Sequence, residues 1–284
     1  MNSLLELLKK STEFLSKKGI ENARLQSELI FAGTLRCRRL DLYLQFERPL
    51  TQDQVDLLRE RIVRRARREP VQYIVGDTDF RNLTLKCDPR ALIPRPETEE
   101  LVDFVLEKLN AQKPAGTPAR VLDLGTGTGA IALSVATERA GTEVVAVDKS
   151  ADALALAREN LEKTGATANV TFLKSDWFEN VSGTFDVIIS NPPYLTRDEW
   201  ECAQPEVKNH EPLSALVAGN AGLADLEIIL RGARERLATG GFVAFETGIA
   251  QHEKLAGIAR ECGFSELESR TDLSGRPRFF FARN

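Results

Sequence analysis

The architecture of this 284-residue chain follows from one short run, Val121-Leu122-Asp123-Leu124-Gly125-Thr126-Gly127-Thr128-Gly129. An apolar segment of strand length passes directly into three glycines, and Ala130–Glu138 then continues in a helical pattern. Glycines at such a turn let the backbone approach a ligand closely. Asp148 ends the next predicted strand, where a carboxylate can accept hydrogen bonds from ribose hydroxyls. The run therefore predicts a site for a nucleoside-containing ligand at a strand–turn–helix junction.

Strand and helix patterns alternate from Arg120 onward. The predicted strands are Arg120–Leu124, Glu143–Val147, Asn169–Leu173, Phe185–Ser190, Gly241–Glu246, Glu266–Ser269 and Arg278–Phe281. The predicted helices are Ala130–Glu138, Ala151–Lys163, Leu223–Ala238 and Ala250–Cys262. Such alternation is typical of an α/β fold, a mostly parallel sheet with helices on both faces. We therefore predict this fold for residues 91–284.

Residues 1–68 follow a helical pattern instead and predict a small all-α bundle. One of its helices is predicted to begin after Thr51 as N-cap and to carry an apolar face. The other faces of that helix carry Arg59, Arg61, Arg64, Arg65, Arg67 and Arg68. Residues 1–90 hold 18 Lys and Arg against 13 Asp and Glu, whereas residues 91–284 hold 20 against 29. The basic end is therefore a candidate docking surface for an acidic partner or nucleic acid, although a solvated helical surface explains the charge equally well.

Residues 69–90 are predicted to form a hairpin-like connector with strands Val71–Val75 and Leu83–Cys87. A helix is then predicted from Pro96 to about Leu109. Its first turn is rich in carboxylates, and their favourable interaction with the helix dipole explains them without a catalytic role.

The composition is that of an ordinary globular protein, with 42% hydrophobic and 28% charged residues. No apolar run approaches the ~18 residues of a membrane span. Met1–Glu6 show no secretory signal, and four scattered cysteines form no Cys-x-x-Cys pair. We therefore expect a cytoplasmic protein with no metal site and no membrane association.

A second motif, Ser190-Asn191-Pro192-Pro193-Tyr194, follows the predicted strand Phe185–Ser190. The two prolines end the strand and stiffen the loop. The loop then presents the Asn191 amide, backbone carbonyls and the ring of Tyr194 at the sheet edge where ligands bind. Two fixed acceptors and a stacking ring would hold a planar NH2 group and direct its lone pair at an electrophile. On its own, the motif is explained equally well as a proline-rich turn.

Two cofactors compete for the glycine turn. The spacing Gly125-x-Gly127-x-x-Ala130 also satisfies the loose dinucleotide pattern, so the glycines alone permit NAD. S-adenosylmethionine is favoured by Asp123, which can anchor its ammonium group or the loop, and by Asp176 and Trp177, which suit an adenine. The amine-binding motif also favours it, because hydride transfer needs no such motif. A nucleotide-binding module without catalysis is a third possibility.

The chain resembles the bacterial N5-glutamine methyltransferases that modify peptide chain release factors, and the resemblance covers nearly its whole length. The matching segments are Glu69–Gly76, Leu92–Glu99, Asp123–Gly129, Asp148, Ser175–Phe178 and Asn191–Tyr194. The family fold is a small helical domain, a connector and a Rossmann-like class I methyltransferase domain. The resemblance therefore implies a helical substrate-docking domain at 1–68, a hairpin connector at 69–90 and a methyltransferase domain at 91–284.

The resemblance also implies a reaction and a set of residues. The methyl group of S-adenosyl-L-methionine is transferred to the glutamine amide of a Gly-Gly-Gln tripeptide, which leaves S-adenosyl-L-homocysteine and needs no metal. The implied cofactor-binding residues are Asp123, Gly125, Thr126, Gly127, Thr128, Gly129, Asp148, Asp176, Trp177 and Asn191. The implied catalytic residues are Asn191, Pro192 and Tyr194. The implied substrate-binding residues are Asn191, Pro192, Pro193, Tyr194 and Phe80, although Phe80 is as readily a core residue.

Two further expectations accompany this assignment. The alternative function is an N6-adenine or N2-guanine nucleic-acid methyltransferase, because an exocyclic amine has the same NH2 geometry. We expect release factors as the protein substrate, no direct nucleic-acid substrate, and a monomer. The chain also departs from the family at Asn82, which stands where a glycine is usual, and we expect Asn82 to tolerate the positive φ of a turn.

Overall fold

The computed structural model describes residues 3–165 and 169–284. Met1 and Asn2 lie outside the described residues. They belong to the predicted helical bundle and to Met1–Glu6, where no secretory signal is predicted. The chain forms two compact units. The first consists of Met1–Asp77 together with Gln204–His210, and the second of Thr78–Ala203 together with Glu211–Asn284. The functional division at residues 68 and 90 stays a prediction.

The helices and strands have the following bounds. The helices are α1 (Leu4–Lys17), α2 (Ala23–Leu35), α3 (Arg39–Tyr43), α4 (Gln52–Ala66), α5 (Val71–Val75), α6 (Pro96–Gln112), α7 (Ala130–Glu138), α8 (Ala151–Thr164), α9 (Arg197–Glu201), α10 (Pro205–His210), α11 (Gly219–Gly222), α12 (Ala224–Ala233) and α13 (His252–Glu261), with a 3₁₀ turn at Leu213–Ala215. The strands are β1 (Asp77–Phe80), β2 (Leu83–Lys86), β3 (Ala119–Leu124), β4 (Thr142–Asp148), β5 (Val170–Lys174), β6 (Phe185–Ser190), β7 (Leu237–Glu246), β8 (Glu266–Thr271) and β9 (Pro277–Arg283).

The first unit is helical, as predicted. The Thr51 hydroxyl accepts a hydrogen bond from the Gln54 backbone, so Thr51 is the N-cap of α4. Fully buried side chains from α1 and α2, Leu8, Leu15 and Phe31 among them, form its core. These contacts provide the apolar burial that a small bundle needs to hold its helices together.

The arginines of α4 are not a uniform basic face. Arg65 is buried, and its Nη2 donates to Glu206 Oε1 at 2.8 Å. Arg68 reaches the same carboxylate at 3.3 Å, and Arg64 donates to Glu69 at 2.6 Å. Much of the predicted docking charge is therefore neutralised by ion pairs inside the first unit.

The connector differs from its prediction, because Val71–Val75 is the short helix α5 and not a strand. Pro70, as N-cap, has φ −56°, and Gly76 ends the helix in the left-handed region. These two caps outweigh the β-branched character of the segment. The hairpin is formed by β1 and β2 instead, and Arg81, not Asn82, has the positive φ of its turn.

The second unit has the predicted α/β fold. Within the described residues, seven strands form one sheet in the order β5-β4-β3-β6-β7-β9-β8. The first five are parallel, and β9 lies antiparallel between β7 and β8. The order reverses between β4 and β6 on either side of β3, which is where ligands bind in open α/β sheets.

Most predicted strands and helices match within two residues, and the main error lies around β7. This strand begins at Leu237, four residues before the predicted start, and α12 ends at Ala233, five residues before its predicted end. Leu237 pairs with Phe185 of β6, and both side chains are buried. The glycines at 240 and 241 concealed this early pairing in the sequence.

Apolar layers cover both faces of the sheet. Val121 packs with α6 and α7 on one face, whereas Leu122 packs with α12 and α13 on the other. This double burial fixes the ends of β3, β4 and β6, so Gly125, Asp148 and Asn191 lie at one common edge of the sheet.

Candidate active site

The glycine turn is held against the end of β4. Gly125, Gly127 and Gly129 have φ values of 75°, 55° and 83°, a region that favours glycine. The backbone N–H groups of Gly125 and Thr126 donate to Val147 O at 2.9 and 2.8 Å. The turn is therefore preorganised by the sheet before any ligand binds.

Asp123, in the strand that leads into the turn, anchors the turn by a hydrogen bond. It is fully buried, and its Oδ2 accepts a 2.6 Å hydrogen bond from the Thr126 hydroxyl. Burial raises the pKa of the Asp123 carboxyl to about 7. The contact to Thr126 supports the role of Asp123 in holding the loop, and its role toward an ammonium group stays a prediction.

Asp148 fixes the turn from the neighbouring strand. Its Oδ2 accepts from the Gly127 backbone at 3.0 Å, and its Oδ1 accepts from the Ser150 backbone at 2.8 Å. Burial raises the pKa of Asp148, while these hydrogen bonds oppose the rise. These hydrogen bonds orient the carboxylate at the wall of the cavity described below.

Trp177 has a strained backbone beside the turn. Its φ is 44°, unusual for a bulky side chain and costly by ~1–3 kcal/mol. Its ring lies 3.7 Å from the position that a Cβ on Gly125 would occupy. A Cβ at position 125 would therefore be in van der Waals contact with the indole, and the strained loop places an aromatic surface next to the glycines.

These segments surround a cavity of about 340 Å³, within the range of small-molecule sites. The cavity is lined by Pro89–Arg95, Thr98, Gly125–Thr128, Ala130, Ile131, Val147–Ser150, Asp152, Ala153, Ser175–Trp177, Asn191, Pro193, Pro212, Ser214 and Ala215. The predicted site residues brought together here are Gly125, Thr126, Gly127, Thr128, Asp148, Asp176, Trp177, Asn191 and Pro193. Among the described residues, Asp123, Gly129, Pro192, Tyr194 and Phe80 do not line it.

Phe80 lies elsewhere in the second unit. Its side chain is 1% exposed and belongs to the core cluster that includes Leu85 and Leu101. The structure therefore places Phe80 in the core, and its role in a substrate pocket stays a prediction.

Asn191 is connected to a buried polar network. Its Nδ2 donates to Thr98 Oγ1 at 3.0 Å, and the Thr98 hydroxyl donates to Glu246 Oε2 at 2.6 Å. The Tyr194 hydroxyl donates to the other oxygen, Glu246 Oε1, at 2.9 Å. Burial raises the pKa values of both Glu246 and Tyr194. The network joins α6, the loop after β6 and the end of β7.

Thr98 and Glu246 were not predicted from the sequence. Thr98 lies in the first turn of a helix, where the sequence drew attention only to the carboxylates, and Glu246 lies 148 positions further along the chain. No linear spacing connects them. The one signal available in the sequence was the carboxyl of Glu246, which stands at the end of a predicted strand.

The loop after Tyr194 is held by a second set of contacts. Gln251 Nε2 donates to Tyr194 O at 2.9 Å and to Gly222 O at 3.1 Å. Asn220, Ala221 and Gly222 have φ values of 49°, 53° and 80°, so α11 is a turn of left-handed residues rather than regular helix. A Cβ on Gly222 would lie 2.2 Å from Tyr194 O.

An ion pair between the half-buried Arg95 and the buried Glu211 also joins two walls of the cavity. Arg95 Nη2 donates to Glu211 Oε1 at 2.6 Å, and Glu211 Oε2 accepts from the Ile93 backbone at 3.4 Å. Because Ile93, Arg95 and Pro212 line the cavity, the pair ties the segment before α6 to the segment after α10.

Neither a metal cluster nor a membrane-spanning helix is found in residues 3–165 and 169–284. No group of three His, Cys, Asp or Glu side chains is arranged to hold a metal ion there. No helix there is long and apolar enough to cross a membrane.

The positive-φ glycine turn, the oriented Asp148 and the indole beside it fit an adenosine-containing methyl donor, and the sheet has the matching switch point. The fold and site define a class I S-adenosylmethionine-dependent methyltransferase, with S-adenosylmethionine as its cofactor. Two family models match the chain, the PrmC N-terminal domain at residues 6–76 and the methyltransferase small domain at residues 100–204. The chain belongs to the release factor glutamine methyltransferase family.

Individual relatives support the assignment to this family. A release factor glutamine methyltransferase of Geobacter sulfurreducens is 38% identical over 93% of this chain and 91% of its own length. One of Salmonella typhimurium is 45% identical over 82% of both chains. The crystal structure of a methyltransferase from Pyrococcus furiosus matches with a TM-score of 0.53 at 19% identity, covering 71% of this chain and 88% of that one. This last match supports the fold alone.

Proposed function

We propose that this enzyme methylates the side-chain amide nitrogen, N5, of the glutamine in the Gly-Gly-Gln motif of peptide chain release factors. The observation that carries the proposal is the Asn191 amide, fixed by Thr98 at the edge of the cofactor cavity. The names of full-length relatives support the same substrate. These names do not favour the alternative function, an N6-adenine or N2-guanine nucleic-acid methyltransferase.

An amide nitrogen is a weak nucleophile because its lone pair is delocalised into the carbonyl. When bound, S-adenosylmethionine supplies an electrophilic sulfonium methyl group. The Asn191 side-chain oxygen accepts one N–H, and a backbone carbonyl of the Pro192–Pro193 segment accepts the other, so the acceptor nitrogen is held in one orientation. Such positioning can supply up to ~7–11 kcal/mol of barrier reduction.

The proposed roles of the other residues follow from their surroundings. Gly125–Gly129, Asp148, Asp176 and Trp177 hold the cofactor, with Asp148 accepting from ribose hydroxyls. Asp123 acts on the cofactor through the glycine turn, because its observed partner is Thr126. The Tyr194 ring stacks on the planar amide of the methyl acceptor, and its hydroxyl is held by Glu246.

The substrate assignment is tested by mass spectrometry of a purified release factor incubated with enzyme and labelled methyl donor. We expect the mass of one methyl group on the Gly-Gly-Gln glutamine. A release factor with that glutamine replaced by alanine is the control and should stay unlabelled. Labelling of bare RNA or DNA, with none in the release factor, would decide for the alternative.

We propose residues 1–68 as the substrate-docking domain, 69–90 as connector and 91–284 as the catalytic domain of a cytoplasmic monomer. A pocket for one amide recognises little more than a glutamine, so selectivity needs contacts remote from the reacting nitrogen. The net charge of +5 over residues 1–90 supports docking of an acidic surface.

The docking role is tested with the exposed arginines of α4 and its end. Replacing Arg59 and Arg67 by serine should lower kcat/KM toward release factor more at low than at high salt, because long-range attraction is screened. Arg65 is unsuitable for this test, since removing it leaves Glu206 without its buried partner and destabilises the unit itself. An equal kcat/KM for parent and double variant at low salt would contradict docking through these arginines.

A further inference from the structure

The hydrogen bonds around Asn191 determine on which side of its amide the NH2 group lies and on which side the oxygen lies. Thr98 is 5% exposed and Glu246 is 1% exposed, so water does not compete for their polar atoms. The Thr98 hydroxyl stands between the two side chains, 2.6 Å from Glu246 Oε2 and 3.0 Å from Asn191 Nδ2.

A hydroxyl group has one proton to donate. Thr98 gives this proton to Glu246 Oε2, while Glu246 Oε1 accepts from the Tyr194 hydroxyl. The Thr98 oxygen can then only accept from Asn191. The Asn191 atom next to Thr98 must therefore be the NH2 nitrogen. The amide oxygen is left on the opposite side of the same planar group, where it is available as an acceptor.

The same carboxylate also holds the second half of the motif. Glu246 Oε1 accepts from the Tyr194 hydroxyl at 2.9 Å. One buried group at the end of β7 thus controls both polar side chains of the Asn191–Tyr194 motif. A hydrogen-bonded amide in a low-dielectric site is more strongly oriented than one in water.

We propose that Thr98 and Glu246 are positioning residues, which set the Asn191 amide with its oxygen toward the methyl acceptor and fix the Tyr194 ring. The kinetic meaning of this role rests on the proposed function. Neither residue is assigned to touch the substrate or the reacting atoms.

A merely structural role for Thr98 makes different predictions. If the hydroxyl only stabilised the start of α6, its loss would lower the stability of the fold and leave the chemistry of correctly folded enzyme unchanged. If it orients Asn191, its loss lowers kcat in folded enzyme and acts only while Asn191 is present.

The kinetic test uses the full chain with release factor as substrate. Thr98→Val removes the hydroxyl at nearly constant shape, and we expect kcat to fall about 10-fold while cofactor affinity stays within about 2-fold. Thr98→Ser restores a hydroxyl and should recover most of kcat. Thr142→Val is the matched control, since Thr142 is also buried and bonded, to Arg139 at 3.0 Å, at the far end of β4. It should lose stability but keep kcat.

A double-mutant cycle separates action through Asn191 from independent effects. In the Asn191→Ala background, Thr98→Val should change kcat by less than about 2-fold, because no amide remains to be oriented. Fully additive losses would overturn the proposal. Thr98→Ala serves as a second variant if the valine side chain prevents folding.

A measurement independent of activity keeps the inference separate from the proposed function. In protein labelled with ¹⁵N-asparagine, the Asn191 side-chain NH2 signal, identified by its loss in Asn191→Ala, should exchange slowly with water. The signal should shift and exchange faster in Thr98→Val, and stay unchanged in Thr142→Val. An unchanged signal in Thr98→Val would overturn the proposal even if release factor is methylated. If the parent methylates no release factor, the proposed function fails, and the NMR result alone decides whether Thr98 orients Asn191.

Discussion

Replacing Gly222 by alanine should destabilise the fold and slow catalysis through the loop that follows Tyr194. The new Cβ would lie 2.2 Å from Tyr194 O, 2.5 Å from Gln251 Nε2 and 3.0 Å from the Tyr194 carbonyl carbon. Two of these three atoms are backbone and cannot turn aside. The residue must also keep φ at +80°, which an alanine rarely adopts.

The magnitude follows from three terms. Holding a non-glycine residue in the left-handed region costs ~1–2 kcal/mol. Moving Gln251 disrupts two hydrogen bonds, at 2.9 and 3.1 Å, worth ~1 kcal/mol each. The lower entropy of the unfolded alanine chain returns ~0.4–1 kcal/mol. We therefore expect the free energy of unfolding to fall by about 3 kcal/mol.

Urea denaturation with a shared m-value measures this loss, and Gly257→Ala provides the matched control. Gly257 lies inside α13, and a Cβ there would meet nothing within 4 Å, so the same chemical change should stabilise by ~0.5–1 kcal/mol. Enzyme with alanine at 222 should also lose kcat, because Tyr194 O moves with its loop. A destabilisation below about 1 kcal/mol, or an equal effect at both glycines, would refute the reasoning.

Three further outcomes are expected. Asp148→Ala should weaken S-adenosylmethionine binding by at least ~1.5–3 kcal/mol in calorimetry, because an oriented carboxylate is lost; tight binding of NAD instead would contradict the cofactor. Asn191→Ala should lower kcat about 10²–10³-fold while cofactor affinity changes only a few-fold, as single-turnover assays and calorimetry can check. Asp123→Asn should remove a pH dependence of the free energy of unfolding. Burial raises the pKa of Asp123 to about 7 in the native state, against ~3.9 in the unfolded state, so the native state binds one more proton between these pH values. Stability of the parent relative to Asp123→Asn should therefore decline from pH 4 to pH 7, by up to ~4 kcal/mol, and urea titrations of both proteins that run parallel would contradict it.

The sequence predicted the second unit well because its signals are local. Strands such as β6 are buried on both faces, so most of their residues, Val187–Ile189 in β6, form a short apolar run between turn residues. The segment Val71–Val75 was predicted wrongly because its β-branched residues suggested a strand, while Pro70 and Gly76 capped a helix. At β7 the pairing of Leu237 with Phe185 overrode the glycines that suggested a loop.

The candidate site divides in the same way. The glycine turn, Asp148 and Asn191 could be predicted because each lies at the end of a strand or directly after it, and parallel strands bring their ends to one edge. Thr98 and Glu246 could not, because their hydrogen bond joins residues that only the tertiary structure brings together. The ion pairs of α4 illustrate the same limit, since composition gives the charge of Arg65 but not the carboxylate that neutralises it.

The position of β9 has a consequence for how the enzyme is made. Its residues, Pro277–Arg283, leave the ribosome after the other described strands of this sheet, yet they occupy an inner place between β7 and β8. Until they emerge, the edge of β7 is unpaired, and it carries the apolar run Phe242–Phe245. The glycine turn and Asn191 are synthesised long before this strand. The nascent chain therefore passes through a period in which its site residues are present and its sheet is open, a state in which chaperones or premature strand pairing compete with folding.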